Sequence, residues 1–228
     1  MKKIKSALIS LSDKANLKPL LKVLKKYKIR LISSGGTYKE IKRLKFKCID
    51  ISDFTGFNEI LDGRVKTLHP KIHAGILNIR KNKKQLKDLK INNFENIDLV
   101  IVNFYPFEKT ISKTNNHQNI IENIDIGGPT LVRAAAKNYN DVTVITSSEQ
   151  YSNLINELKS NNGKTSLEFR KKMSQVAFTE TAYYDSLISN YFNKISRTHF
   201  PKKKIIQTNL IENLRYGENP HQESAIYS

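Results

Sequence analysis

The sequence predicts a three-layer α/β/α fold built on a mainly parallel sheet. Three observations predict it. Short apolar, β-branched runs at residues 4–10, 29–33, 45–51, 97–104 and 142–146 alternate with helix-like segments, the pattern of parallel strands joined by crossovers. The run at 97–104 is apolar nearly throughout, as a strand covered on both faces requires. The polar turns Ser12-Asp13-Lys14, Ser34-Gly35-Gly36-Thr37 and Asn103-Phe104-Tyr105 all follow predicted strands. They therefore fall at the carboxyl ends of the strands, where ligands gather in such sheets.

The elements follow in order. Residues 4–10 read as the first strand, with Asp13 or Asn16 placed to cap a helix reaching about residue 27. Residues 29–33 are the second strand, and Ser34-Gly35-Gly36-Thr37 turns it into a helix to about residue 44. A short third strand covers 45–51. Residues 52–75 read as irregular, punctuated by Gly56, Gly63, Pro70 and Gly75. A polar helix at 82–90 precedes the strand at 97–104. Helices are expected near Ile120 and over 129–138, then the strand at 142–146, another helix, and a long amphipathic helix over 166–195. Residues 197–213 are basic (Arg197, Lys202, Lys203, Lys204) and read as a linker.

Composition sets limits. With 228 residues, 39% hydrophobic and 26% charged, the chain can bury one sizeable core. No apolar run has membrane-spanning length, and Met1-Lys2-Lys3-Ile4 does not open a signal peptide, so a cytoplasmic protein is expected. The single cysteine, Cys48, sits in an apolar stretch and reads as a small core residue. The net charge of +18 raises nucleic-acid binding as a candidate. The lysines are scattered along solvated helix faces, and no nucleic-acid-binding motif accompanies them, so neither a nucleic-acid nor a membrane partner is expected.

The residues that carry chemistry are polar and glycine-flanked. In Gly63-Arg64-Val65-Lys66-Thr67-Leu68-His69-Pro70 an extended backbone would put Arg64 and Lys66 on one face, and two neighbouring cations call for an anion or a developing oxyanion between them. Ser34, Gly36 and Thr37 at a strand-to-helix turn make a phosphate cradle, or equally a capped turn. Ser12 and Lys14 follow the first strand, and Lys14 reaches toward the same phosphate or into solvent. Asn103 offers amide groups to a heterocycle edge and Tyr105 a phenol. Asp125-Ile126-Gly127-Gly128-Pro129 opens a helix whose free amides suit an oxyanion, and Asp125 with Lys137 suits proton transfer. His69 and His73 are separated by Pro70 and show no metal-ligand pattern, so no metal is expected.

Taken together, Ser12-Asp13-Lys14, the Ser-Gly-Gly-Thr loop, the Gly63–Pro70 run, Asn103-Phe104-Tyr105-Pro106-Phe107, Asp125-Ile126-Gly127-Gly128 and Arg133-Ala134-Ala135-Ala136-Lys137-Asn138 occur in one family's order. They resemble the IMP cyclohydrolase domain of the bifunctional AICAR transformylase/IMP cyclohydrolase enzymes, whose fold is methylglyoxal-synthase-like. The resemblance implies a cyclohydrolase domain over 1–198. It implies a linker and the opening of a transformylase domain over 199–228, with the remainder absent. Leu214-Arg215-Tyr216-Gly217-Glu218-Asn219-Pro220-His221-Gln222 is similar to that opening, and there Arg215 and Tyr216 would help hold the imidazole nucleotide.

The implied reaction is dehydrative closure of 5-formamidoimidazole-4-carboxamide ribotide (FAICAR) to IMP in a cytoplasmic homodimer. It needs no cofactor, whereas the absent transformylase part would use 10-formyltetrahydrofolate. The implied roles are phosphate binding by Ser12, Lys14, Ser34, Gly36 and Thr37, and base orientation by Arg64, Thr67 and Asn103. Lys66, Tyr105, Asp125 and Lys137 act as catalytic groups, with the amides of Gly127 and Gly128 as oxyanion donors. The alternative is a methylglyoxal-synthase-like phosphate lyase or a nucleotide-binding regulatory module.

Overall fold

A computed structural model describes residues 1–219 and 221–228. Pro220, within the transformylase-like opening, lies outside the described residues. The chain divides into two compact units, Met1–Thr181 and Ala182–Ser228.

The first unit holds a five-stranded sheet in the order β4-β3-β2-β5-β6. Its strands are β2 (Ser6–Leu11), β3 (Arg30–Ser33), β4 (Ile49–Asp50), β5 (Leu99–Asn103) and β6 (Thr143–Ile145). Every adjacent pair is parallel. Leu99, Val100, Ile101 and Val102 of β5 are each at most 1% exposed, because helices cover both faces. The alternation of strand and helix in the sequence thus becomes a parallel α/β sheet, as predicted. A small antiparallel pair, β1 (Lys2–Lys3) with β7 (Lys164–Thr165), was not legible in the sequence, since two-residue charged strands carry no periodicity.

The helices of this unit include α1 (Leu17–Lys26), α2 (Gly35–Arg43), α3 (Ile51–Thr55), α4 (Pro70–Leu77), α5 (Lys83–Ile91) and α6 (Phe107–Lys113). After these come α7 (His117–Glu122), α8 (Gly127–Lys137) and α9 (Tyr151–Ser160), and the long α10 (Leu167–Ile195) begins in this unit and runs on into the second. Two corrections concern residues 52–75, expected to be irregular. Asp50 caps α3 by accepting from the Ser52 N–H at 3.0 Å. His69 caps α4 through Nδ1, which accepts from the Lys71 N–H at 3.1 Å, and Pro70 occupies the first helical position. Both helices carried start signals in the sequence that the glycines and proline obscured. A third correction concerns α1: neither Asp13 nor Asn16 caps it by side chain, and Asp13 instead accepts from the Ala15 N–H at 2.9 Å.

Chain order places the switch point of the sheet at β2 and β5. From β2 the chain moves to β3 on one side, and later returns to β5 on the other. A crevice opens outside the carboxyl ends of such a pair. Cys48 packs against the core half-buried, and burial, with the Asp50 charge beside it, pushes its thiol up to about 12. Among the described residues no helix is long and apolar enough to cross a membrane.

In the second unit, β8 (Leu210–Leu214) pairs antiparallel with β9 (Ser224–Tyr227). The expectation of an irregular linker over 197–213 therefore fails at residues 210–213, which belong to strand β8. Arg215 and Tyr216 follow β8 directly, and Tyr216 is 49% exposed.

Candidate active site

A cavity of about 670 Å³ opens at the carboxyl ends of the parallel strands. Its lining includes Ser12 and Lys14 after β2, Ser34, Gly36 and Thr37 after β3, Asn103 at the end of β5 and Tyr105 just beyond it. Arg64, Lys66 and Thr67 join from the loop before α4, and Asp125, Gly127 and Gly128 from the start of α8. The three predicted turns thus meet at one place because every parallel strand ends on the same side of the sheet.

The α2 end of the cavity is built for an anion. Ser34 precedes the helix in extended conformation, and Gly35 turns the chain through φ +52°, which a residue with a side chain rarely adopts. The first turn of α2 lines the cavity, where the helix dipole favours negative charge. Two ammonium groups flank them: a Cβ added to Gly35 would lie 3.5 Å from Lys66 Nζ, and one added to Gly36 would lie 3.8 Å from Lys14 Nζ. Lys14 also donates to the Ser12 carbonyl at 3.1 Å. Thr37 acts differently from the expectation. Its buried hydroxyl accepts from the Leu11 N–H at 2.8 Å and donates to the Leu11 carbonyl at 3.0 Å, pinning α2 to the end of β2.

Asn103 is likewise occupied. Its Oδ1 accepts from the N–H groups of Ser12 and Asp13 at 2.7 and 3.2 Å, and its Nδ2 donates to the Asp13 carbonyl at 2.8 Å. Asn103 lines the cavity with its amide already engaged, clamping the Ser12-Asp13 turn across the switch point.

The α8 end of the cavity is acidic. Asp125 Oδ1 accepts from the Gly128 N–H at 2.8 Å. Burial pushes the Asp125 carboxyl above its ordinary 3.8, while hydrogen bonds from the backbone of Gly128 and Tyr105 and the Lys66 charge pull it down without cancelling that effect. At both glycines a Cβ would force a neighbouring side chain to shift. A Cβ on Gly128 would lie 2.4 Å from Asp125 Oδ2, and one on Gly127 would lie 2.7 Å from Thr67 Oγ1. The sequence expectation of two oxyanion-donating amides is corrected for Gly128, whose N–H is engaged by Asp125, and Pro129 has no N–H to offer.

Two more expectations are corrected. Arg64 is not in an extended run: residues 60–65 form a tight hairpin closed by the Ile60–Val65 bridge, and Arg64 pairs with Glu122. Lys137 does not reach the cavity. It is exposed at the last turn of α8, ten residues from Gly127, or about 15 Å along the helix axis. The lining also takes in Ser10, Asp62, Ile121, Glu122, Ile124 and Ile126, none of them singled out as a site residue from the sequence. Their one signal was position, within four residues of Ser12, Arg64 or Asp125.

The fold and cavity define a class: an α/β domain whose sheet presents a lysine-flanked helix terminus to an anion and a buried carboxylate beside it. The chain belongs to the MGS-like domain family, which matches residues 16–130, and residues 135–228 match the family described as AICARFT/IMPCHase bienzyme. Similar curated proteins bear the name bifunctional purine biosynthesis protein PurH. The one from Bradyrhizobium diazoefficiens is 45% identical over 100% of this chain and 43% of its own length. Those from Acetivibrio thermocellus and Persephonella marina are 47% and 48% identical over 98% of this chain and 44% of their own lengths. The chain thus spans less than half the length of these relatives. The crystal structure of ForH superposes with a TM-score of 0.73 at 28% identity, covering 83% of this chain and 99% of that one.

Proposed function

We propose that this chain closes the pyrimidine ring of FAICAR to give IMP, with loss of water. The carboxamide nitrogen attacks the formyl carbon within one molecule. A C–N bond forms, a proton leaves nitrogen, the formyl oxygen becomes a carbinolamine oxygen, and its departure as water leaves the C=N bond. The scheme balances without a cofactor. Because both reacting groups sit on one substrate, proximity contributes less than its ~7–11 kcal/mol ceiling. The protein must therefore hold the arms in place, remove the amide proton and stabilise the oxyanion, where a single donor is worth roughly 3–4 kcal/mol.

The observation that carries this reading is the convergence of Lys14, Lys66 and Asp125 on one cavity, in a chain 45% identical to a PurH protein. The amides of Gly36 and Thr37, with Ser12, Lys14 and Ser34, hold the 5′-phosphate. Lys66, Tyr105 and the Gly127 N–H face the formyl oxygen. Asp125 takes the amide proton, and its buried carboxyl is a stronger base than an ordinary aspartate. Lys137 has no role in this scheme. Arg64 and Thr67 shape the wall over the base.

A homodimer in the cytoplasm is part of the same proposal. Formyl transfer from 10-formyltetrahydrofolate belongs to the longer bifunctional architecture, to which this chain would contribute Arg215 and Tyr216. The test is Lys66→Ala, followed by the ultraviolet rise that accompanies purine formation from FAICAR. We expect turnover to fall about 10²–10³-fold with unchanged circular dichroism. Wild-type turnover in the variant rejects the role. Methylglyoxal released from dihydroxyacetone phosphate by the unaltered protein, with no IMP formed, would replace the reading with the lyase alternative.

A further inference from the structure

Two segments that line the cavity, residues 62–67 and 121–128, are joined at three successive levels. Arg64 pairs with Glu122. The Lys66 charge acts on Asp125. Thr67 Oγ1 lies so near Gly127 that no Cβ fits between them. The first segment belongs to the 60–65 hairpin, whose turn is costly: Leu61 and Asp62 adopt φ 54° and 53°, and Gly63 φ 84°. Such a hairpin needs support from outside itself. The Arg64–Glu122 pair supplies it, two residues before Lys66 and three before Asp125. Its side chains are 66% and 42% exposed, so the pair adds little to global stability and its effect is local.

We infer that Glu122 is a positioning residue. Acting through Arg64, it latches the hairpin that leads into Lys66 against the segment that carries Asp125, and so sets the spacing of the two groups over the substrate. This rests on the ring closure proposed above. The test is Glu122→Gln in the full chain, with Arg64→Gln and the double variant, assayed on FAICAR and by amide hydrogen exchange. In Glu122→Gln we expect KM to rise about three- to fivefold, kcat to change less, and the melting temperature to stay put. Exchange over residues 60–65 should quicken. In the Arg64→Gln background the effect of Glu122→Gln should vanish, because the two act as one unit. An unchanged or lower KM overturns the latch, and so does an equal rise in the Arg64→Gln background. If the unaltered protein closes no FAICAR, the ring-closure reading falls by itself. Exchange at 60–65 then decides the latch alone, and unaltered exchange in Glu122→Gln overturns it.

Discussion

Two glycine pairs open two helices at the same cavity, and they do opposite things. At α2, Gly35-Gly36 leaves the helix amides open, with Lys14 and Lys66 beside them. At α8, Gly127-Gly128 lets Asp125 fold back and bond the Gly128 N–H, so the helix caps itself with its own carboxylate. One terminus has two lysines beside it, and the other has a carboxylate of its own. A glycine-rich helix start therefore does not by itself mean an anion site: the neighbouring side chains decide which charge occupies it.

The largest effect should come from erasing the internal anion. Asp125→Asn is expected to lower kcat about 10²–10⁴-fold while IMP affinity stays within a few-fold, since the phosphate end is untouched. In the unaltered protein, burial favours the protonated, inactive carboxyl, so the acid limb of kcat/KM should lie above the ordinary 3.8. The sign for stability is the same: the folded state holds this proton more tightly than the unfolded chain. The contribution is thus fully present below 3.8 and is lost as pH rises through the elevated value. An acid limb at or below 3.8 would erase the contrast between the two termini.

A smaller effect should come from the external-anion end. Lys14→Ala is expected to weaken IMP binding about tenfold, to flatten its salt dependence, and to leave kcat at saturation nearly unchanged. Titration calorimetry at two salt concentrations measures this, and equal affinity in the variant would sink the cradle.

The smallest effects separate the glycines. Gly128→Ala must displace the Asp125 carboxylate, at a cost of about 1–3 kcal/mol in thermal or denaturant unfolding. In Gly36→Ala the nearest atom is 3.8 Å from the new Cβ, an ordinary contact. The ligand-free melting temperature should then hold within about 2 °C. The rise produced by IMP should shrink, because the methyl stands where a phosphate approaches the amides. Equal stability losses in both variants would mean that the two glycine pairs serve the same end.

Much of this was legible in the chain. The run at 97–104 marked β5, and the turns after the predicted strands marked the cavity wall, because strand pattern and turn chemistry are local. Less legible were contacts across long separations. Asn103 and Ser12 are 91 residues apart, and their bond turns a presumed ligand-reading amide into a clamp. Arg64 and Glu122 are 58 apart, and nothing in either neighbourhood announces the other. Lys137 shows the reverse error: its helix was foreseen, but the direction in which that helix leaves the cavity was not.

The sequence by itself determined the α/β class, the parallel strands and the loops from which a polar site would be drawn, since periodicity and glycine placement act over a few residues. Only the tertiary structure decided which polar groups are free. Most amides and hydroxyls brought into the interior find a partner, and the partners of Thr37 and Asn103 are fixed by how distant segments pack rather than by what stands beside them.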